Sequence, residues 1–504
     1  MASFVLQGID AIPCEIEVDL SPVGLPRTTV VGLPDTAVKE SVERVRTALL
    51  NSGFRYPNSR ITINLAPADV RKEGPVYDLP FAAALLRADA TIVPLSGEDR
   101  PSMDDYLIAG ELALDGRVRP IKGAISLAIL AKQRGAAGVI VPADNAAEAA
   151  AVDGIDVLGV RTLGEVVALF NGVCTIEPHP TLDVEALIVQ AQPEVDFGDV
   201  RGQEAAKRAV IIAAAGGHNI LMIGPAGTGK SMMAKALPGV LPPMTREEAL
   251  QVTRIYSSVG QIPRRDPLML RRPVRTPHHT ASAPAIIGGG TIPRPGDVSL
   301  AHRGVLFLDE MPEFSRDVLE TLRQPLEDGC VTVARAHSSM KFPAQFMLVG
   351  ALNPTPKGKM ADDEVSRRAM ERYLSRLSGP LIDRIDIHVE VPSVPYHQLV
   401  GKQRGTDTAT IRRAVHDARR LQQGRQGKLV NSELSGKRLD RHAILEESAQ
   451  TLLGQAMTEL GLSARAYDKV RRVARTIADL ENSETVQSHH VAEAVQYRLL
   501  DRAV

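Results

Sequence analysis

Over its first third the chain alternates stretches of period two with stretches of helical period. Glu15-Ile-Glu-Val-Asp-Leu20 and Arg60-Ile-Thr-Ile-Asn-Leu65 place apolar side chains at every second position, the mark of half-buried strands. Between them Val38, Val42, Val45 and Leu49 recur at three- and four-residue steps, which predicts a helix capped by Asp35 and closed by Gly53. Leu107 to Leu114 and Arg117-Val-Arg119 flank Asp115-Gly116, residues that tolerate the positive φ of a two-residue turn, so a β-hairpin is expected. A helix from Ala124 to Arg134, a strand at Val139 to Val141, an alanine-rich helix and a strand at Val157-Leu158 complete an α/β domain over residues 1–172. Residues 173–194, with Pro178, Pro180 and Pro193 and little periodicity, have the look of a linker.

The pattern then changes. Ile220-Leu-Met-Ile223, Val305-Leu-Phe-Leu308 and Phe346-Met-Leu-Val-Gly-Ala-Leu352 are apolar without alternation, as strands buried on both faces of a parallel sheet are. A helix from Ala205 to Ala215 precedes the first, Thr245-Arg-Glu-Glu248 fits a capping box, and a helix from Ser315 to Leu326 follows the second. From Gln261 to Pro295 Pro and Gly are too dense for a long helix. Gly329 to Arg335 and Lys341 to Gln345 flank His337, a hairpin whose tip could point into a central pore. From Thr406 onward the chain is helical and basic, with helical spacing over Ile411 to Leu421, Leu439 to Leu460 and Arg465 to Glu481. The expected organisation is α/β, with a parallel-sheet core over 195–400 and an α-helical lid over 401–504.

With 504 residues there is room for about three domains. A formal charge of −1 gives no global pull toward nucleic acid, so such binding must come from local basic patches. Trp is absent and aromatics make up only 3%, which argues against base-stacking platforms. The cysteines, Cys14, Cys174 and Cys330, lie far apart without a C-x-x-C pair; neither a disulfide framework nor a zinc ribbon is indicated, and a reducing compartment fits. No signal peptide and no run of about 18 apolar residues is present, so a cytoplasmic location without a membrane span is expected.

Chemistry concentrates after the first apolar strand of the sheet. Gly224, Pro225, Ala226, Gly227, Thr228, Gly229, Lys230 and Ser231 spell G-x-x-x-x-G-K-S between a strand and a helix. Such a loop turns its N–H groups on a phosphate; Lys230 would reach the β- and γ-phosphates of ATP, and the Ser231 hydroxyl would ligate Mg²⁺. Gly304-Val-Leu-Phe-Leu-Asp-Glu310 ends a buried strand in two carboxylates, Asp309 to hold Mg²⁺ and Glu310 to polarise the attacking water. Arg384, just before a strand, is a candidate arginine finger for a neighbour's γ-phosphate, or else pairs with Asp383 or Asp386. Arg275, His278, His279, His337 and Lys341 are candidate nucleic-acid contacts, although a solvated or subunit-facing surface would use the same residues. The His278-His279 pair makes a poor metal-ligand set. Arg471, Arg472 and Arg475 suit solvated or interface positions.

Three resemblances extend this. Gly110-Glu-Leu-Ala-Leu-Asp-Gly-Arg-Val-Arg-Pro-Ile121 and Lys72-Glu-Gly-Pro75 resemble the proteolytic domain of Lon-type proteases, but Val76 and Ile125 stand where that family has its serine and lysine, so a scaffold or binding module without proteolysis is implied. Asp196-Phe-Gly-Asp-Val-Arg-Gly-Gln203 resembles the adenine-pocket segment of AAA+ proteins, Asn353 stands at the sensor 1 position that orients the attacking water, and Arg465 matches the sensor 2 arginine, implying contact with the γ-phosphate of its own subunit. Arg275-Thr-Pro-His-His-Thr280, Pro293-Arg-Pro-Gly-Asp-Val-Ser-Leu-Ala-His302 and Leu374-Ser-Arg-Leu-Ser-Gly-Pro380 make the whole similar to the YifB/ComM family of magnesium-chelatase-like AAA+ ATPases. The resemblance implies a hexameric ATPase acting on single-stranded or branched DNA, a branch-migration helicase of homologous recombination during natural transformation, with recombination proteins as further partners. Many relatives carry cysteines after the sensor asparagine, whereas Asn353-Pro-Thr-Pro-Lys-Gly-Lys359 has none. The alternative is a motor that remodels a protein partner, either chelatase-like or regulatory.

Overall fold

The computed structural model describes residues 1–93, 102–263, 266–290, 293–335, 338–353, 376–394, 406–498 and 500. His337 and the cysteine-less run after Asn353 lie outside them. The chain forms two compact units, Met1–Leu187 with Thr245–Leu270, and Ile188–Met244 with Arg271–Val504. These cut across the expected segments at both ends.

The first unit is built on a seven-stranded sheet in the order Arg27–Val31, Arg60–Ala66, Asp10–Ser21, Ala2–Gln7, Tyr106–Ile108, Gly138–Pro142, Asp156–Val160. Asp10–Ser21 runs antiparallel to both its neighbours, and the remaining neighbours pair parallel. Helix Thr36–Asn51 starts where Asp35 accepts from the Val38 N–H at 2.7 Å, and it buries Val38, Val45 and Leu49. Asp115-Gly116 does turn the chain, but Ala113 pairs with Arg117, giving a three-residue loop with Gly116 at φ +81 rather than a two-residue one. Helix Ala124–Arg134 is tied at its head: buried Glu148 accepts from the Ile125 N–H at 2.9 Å and from the Ser257 hydroxyl at 2.5 Å. Ser257 lies on the capped helix Arg246–Val259, and that shared carboxylate, with Ala249, Val252 and Ile255 buried, explains why Thr245–Leu270 belongs here. Ile125 is fully buried and Val76 packs against the apolar core, so both Lon-type catalytic positions are structural.

In the second unit five parallel strands lie in the order Val274–Arg275, Val305–Leu308, Met347–Leu352, Ile220–Ile223, Ile387–Glu390. Most of the apolar side chains of the C-terminal helices pack into the core of the sheet. Val470, Val473, Ile477 and Val491 share one core with Ile220, Met222, Val349 and Ile387. Two expected helices are broken. Pro325, which lacks an N–H, divides the first into Arg316–Thr321 and Arg323–Asp328. The second divides into Gly436–His442 and Glu447–Glu459, because Val486 bonds the backbone of Ile444 and Glu446 and takes those groups out of the helical ladder.

Helix Ala464–Leu480 overturns the solvated placement of its arginines. Arg475 is 1% exposed and donates to Asp479 and to the Ser483 and Glu484 carbonyls, while buried Arg471 reaches Asp440 at 2.8 Å. Positions 471 and 475 are one turn apart on the side of the helix away from Val473, and the long side chains can be buried there because carboxylate and carbonyl partners wait for them.

Candidate functional site

In a parallel sheet every strand delivers its C-terminal end to the same edge, where ligands of open α/β sheets bind. Here that edge receives the loop after Ile223, the carboxylates after Leu308 and Asn353 after Leu352. Gly224 is held by a bond from its N–H to Leu352 O at 3.1 Å, and a Cβ there would sit 2.0 Å from Val391 O, so only glycine fits between the strands. Gly229, at φ +92, turns the loop into helix Lys230–Val240. Thr228 is buried and donates to Pro225 O at 3.0 Å.

Lys230 is 6% exposed. Its ammonium lies inside the loop, donating to Gly224 O at 2.5 Å, Pro225 O at 2.7 Å and Asn353 Oδ1 at 3.4 Å. Burial lowers its pKa, against the opposing pull of Asp309 and Glu310. The Ser231 hydroxyl donates to Asp309 Oδ2 at 3.1 Å, and Asp309 Oδ1 accepts from the Glu310 N–H at 3.0 Å. Two hard oxygens side by side, one anionic, suit Mg²⁺. Glu310 sits at φ +49, an unusual backbone region for a side chain, and its half-exposed carboxylate lies 3.8 Å from His279 Nδ1. His279 stacks on His278 at 4.2 Å between centroids. The sequence therefore brought Lys230, Ser231, Asp309, Glu310 and Asn353 to one place, and the structure adds His279 to them.

Gln203 ends the segment expected to line the adenine pocket, with no role assigned to it from the sequence. It adopts φ +60, and its amide donates to Thr228 O at 3.3 Å and Pro392 O at 2.5 Å, bracing the loop from behind. Val200, of the expected adenine segment, is buried beside the short helical turn Phe197–Asp199.

Two arginines are elsewhere. Asn219 O accepts from the Asp386 and Ile387 N–H groups, each at 3.1 Å, and Asn219 Nδ2 donates to Arg384 O at 2.9 Å. Arg384 thus stands at the N-terminal end of the strand beside Ile220–Ile223. The loop lies at the other end, about 13 Å away at ~3.3 Å per residue. Its guanidinium pairs with Glu327, not with Asp383 or Asp386, and donates to Pro380 O. Arg465, 72% exposed, donates to Asp383 Oδ2 at 2.9 Å, and further along the same helix Lys469 donates to Ile385 O. Arg465 therefore stands with Arg384, at the opposite strand end from its own chain's phosphate loop. The lid helix runs past the wrong end of the central strand.

Among the other candidate nucleic-acid contacts Arg275 is tied to Asp297 at 2.6 Å, whereas His278 and Lys341 are exposed. Lys341 lies on the hairpin Cys330–Arg335/Ser338–Pro343. The three cysteines are unpaired, and among the described residues no helix is long and apolar enough to cross a membrane.

Comparison with known proteins agrees with this arrangement. Residues 16–145 match the family model for subunit ChlI of Mg-chelatase, 196–399 that for magnesium chelatase, subunit ChlI, and 405–498 that for the C-terminal part of the same subunit. The chain is 43% identical over 499 residues to the competence protein ComM of Haemophilus influenzae, covering 98% of this chain and 96% of that one. It is 44% identical over 501 residues to the uncharacterized protein YifB of Escherichia coli, with the same coverage. A magnesium-chelatase subunit ChlI of Chlorella vulgaris is 25% identical over 349 residues, 63% of this chain and 92% of that one. With a parallel-sheet core, a helical C-terminal region and near-full-length identity to these relatives, the chain belongs to the YifB/ComM family of magnesium-chelatase-like AAA+ ATPases.

Proposed function

We propose that this ATPase assembles as a ring and uses ATP hydrolysis to move DNA strands, as in branch migration during recombination. The observation that carries the reading is the separation of Arg384 and Arg465 from their own phosphate loop. Both cations stand at the opposite strand end from that loop, which supports the reading that they serve a neighbour's phosphates and that catalysis requires assembly. A hexamer is the ring size the family resemblance favours.

At each site the Lys230 ammonium exchanges the Gly224 and Pro225 carbonyls for phosphate oxygens. Ser231 and Asp309 would hold Mg²⁺, which supplies charge neutralisation on the β- and γ-oxygens. Glu310 accepts a proton from the attacking water and Asn353 orients that water, while a neighbour's Arg384 and Arg465 answer the charge that develops on the transferred group.

DNA as the substrate is supported by a relative named a competence protein and by the exposure of His278 and of Lys341 on its hairpin. The test is ATP hydrolysis with and without branched DNA at two salt concentrations. Stimulation that falls steeply with salt is expected. Indifference to every DNA, with stimulation by a protein partner, would transfer the reading to a protein-remodelling motor.

A further inference from the structure

The C-terminal helices carry a cavity that the ATPase chemistry does not use. It measures about 490 Å³, within the range of small-molecule sites. Leu429 and Leu434 supply apolar lining, and Leu434 belongs to a small separate core with Leu439 and Ala443 that holds the cavity wall in place. Lys437, Arg438, Arg441 and His442 supply the rest of its charge-bearing lining, and no carboxylate lines it.

The acids that could neutralise this cluster are engaged elsewhere. Asp440, the one acid on helix Gly436–His442, pairs with Arg471, Asp479 binds Arg425 and Arg475, and Glu433, whose carboxylate accepts from the Val430 N–H, does not line the cavity. Lys437, Arg438 and Arg441 are exposed and make no ion pair among the described residues. The charge is felt locally: His442 is pushed below its ordinary pKa by burial and then by Arg425, Arg441 and Arg438.

We infer that this cavity binds a nucleotide unit, its phosphate on Lys437, Arg438 and Arg441 and its sugar and base against Leu429 and Leu434. Concentrated cations without counter-charges select an anion, and the arginine forks favour phosphate oxygens. A bare phosphate would leave the apolar lining uncovered, whereas a nucleotide has a face for it and can also lie on a guanidinium plane, which asks for no aromatic residue. The unit can belong to a DNA strand or to a free nucleotide. The strand form rests on the DNA-motor reading above, and the free form does not.

The experiment uses the full chain with its phosphate loop filled by a non-hydrolysable ATP analogue. Wild type is compared with a Lys437→Ala, Arg438→Ala, Arg441→Ala variant and with a charge-retaining Lys437→Arg, Arg438→Lys, Arg441→Lys variant. Binding of a fluorescent oligothymidylate is read by anisotropy across a salt series, and binding of radiolabelled dTMP by equilibrium dialysis. For a strand, neutralisation weakens oligothymidylate binding at least about tenfold and flattens the log–log salt slope by about 2, near 0.7 for each lost contact, and the charge-retaining variant recovers most of it. For a free nucleotide, dTMP binding is lost in the neutralised variant while oligothymidylate binding is unchanged. ATP turnover without DNA stays at the wild-type rate in both variants. If neutralisation alters neither probe, or if polyglutamate binds the cavity and the nucleotides do not, the inference is overturned. Loss of dTMP binding in a chain whose hydrolysis ignores DNA would retain the site and discard the motor reading.

Discussion

Lys230 is held by two carbonyls of its own loop, and burial already disfavours its charge. A γ-phosphate offers a full negative charge instead of two dipoles, so Lys230→Ala is expected to abolish binding of labelled ATP. Glu310→Gln keeps the shape but cannot take the proton; ATP should still bind, and phosphate release should fall by about 100-fold or more. A buried histidine sets a different kind of prediction. His302 is 3% exposed, its Nδ1 accepts from the Gln345 N–H at 3.1 Å, and burial, then Arg303 and Arg272, push its pKa down to about 3. Below the ordinary histidine value of 6.5 the unfolded chain takes up a proton that the folded chain refuses, so stability falls as pH drops from 6.5 toward 3. Urea midpoints measured from pH 7 to pH 5 should decline, and His302→Gln should flatten that decline.

Among the elements, those with a local cause were legible. The helix after Asp35 was marked by its cap and apolar spacing, and the helix after Thr245 by its capping box; both formed as expected. Asp35→Ala should cost about 1 kcal/mol in urea unfolding, since Asp35 also accepts from the Gly74 N–H. The catalytic strands were legible because each apolar run ends in a residue with chemistry. What stayed hidden depends on distant partners. Nothing near Leu445 announces that Val486 will interrupt a helix, and an arginine-rich helix reads as solvated until Asp440 and the Ser483 and Glu484 carbonyls are found against it. Asp479 accepts from Arg425 at 2.6 Å and from Arg475 at 2.8 Å. Asp479→Ala leaves two cations without that counter-charge and should destabilise the second unit by about 3–5 kcal/mol.

For the whole molecule, the sequence marked candidate phosphate-handling residues but not the end of the sheet at which each one stands. Arg465 matches a motif position, yet a motif carries no information on which end of the sheet its helix passes; that follows from bonds such as Lys469 to Ile385 O and His218 to Thr476. On the proposed reading each protomer supplies half of two sites, with Lys230, Asp309, Glu310 and Asn353 at one end of the central strands and Arg384 and Arg465 at the other. Arg384→Ala chains keep a phosphate loop and lack the donated cation, whereas Lys230→Ala chains lack the loop and keep the cation. The most direct test is ATP turnover in mixtures of these two variants, each inactive alone, with assembly checked by sedimentation. Turnover that reappears on mixing and peaks near equal proportions is the predicted result, and mixtures that assemble but remain as inactive as their components would contradict the shared site.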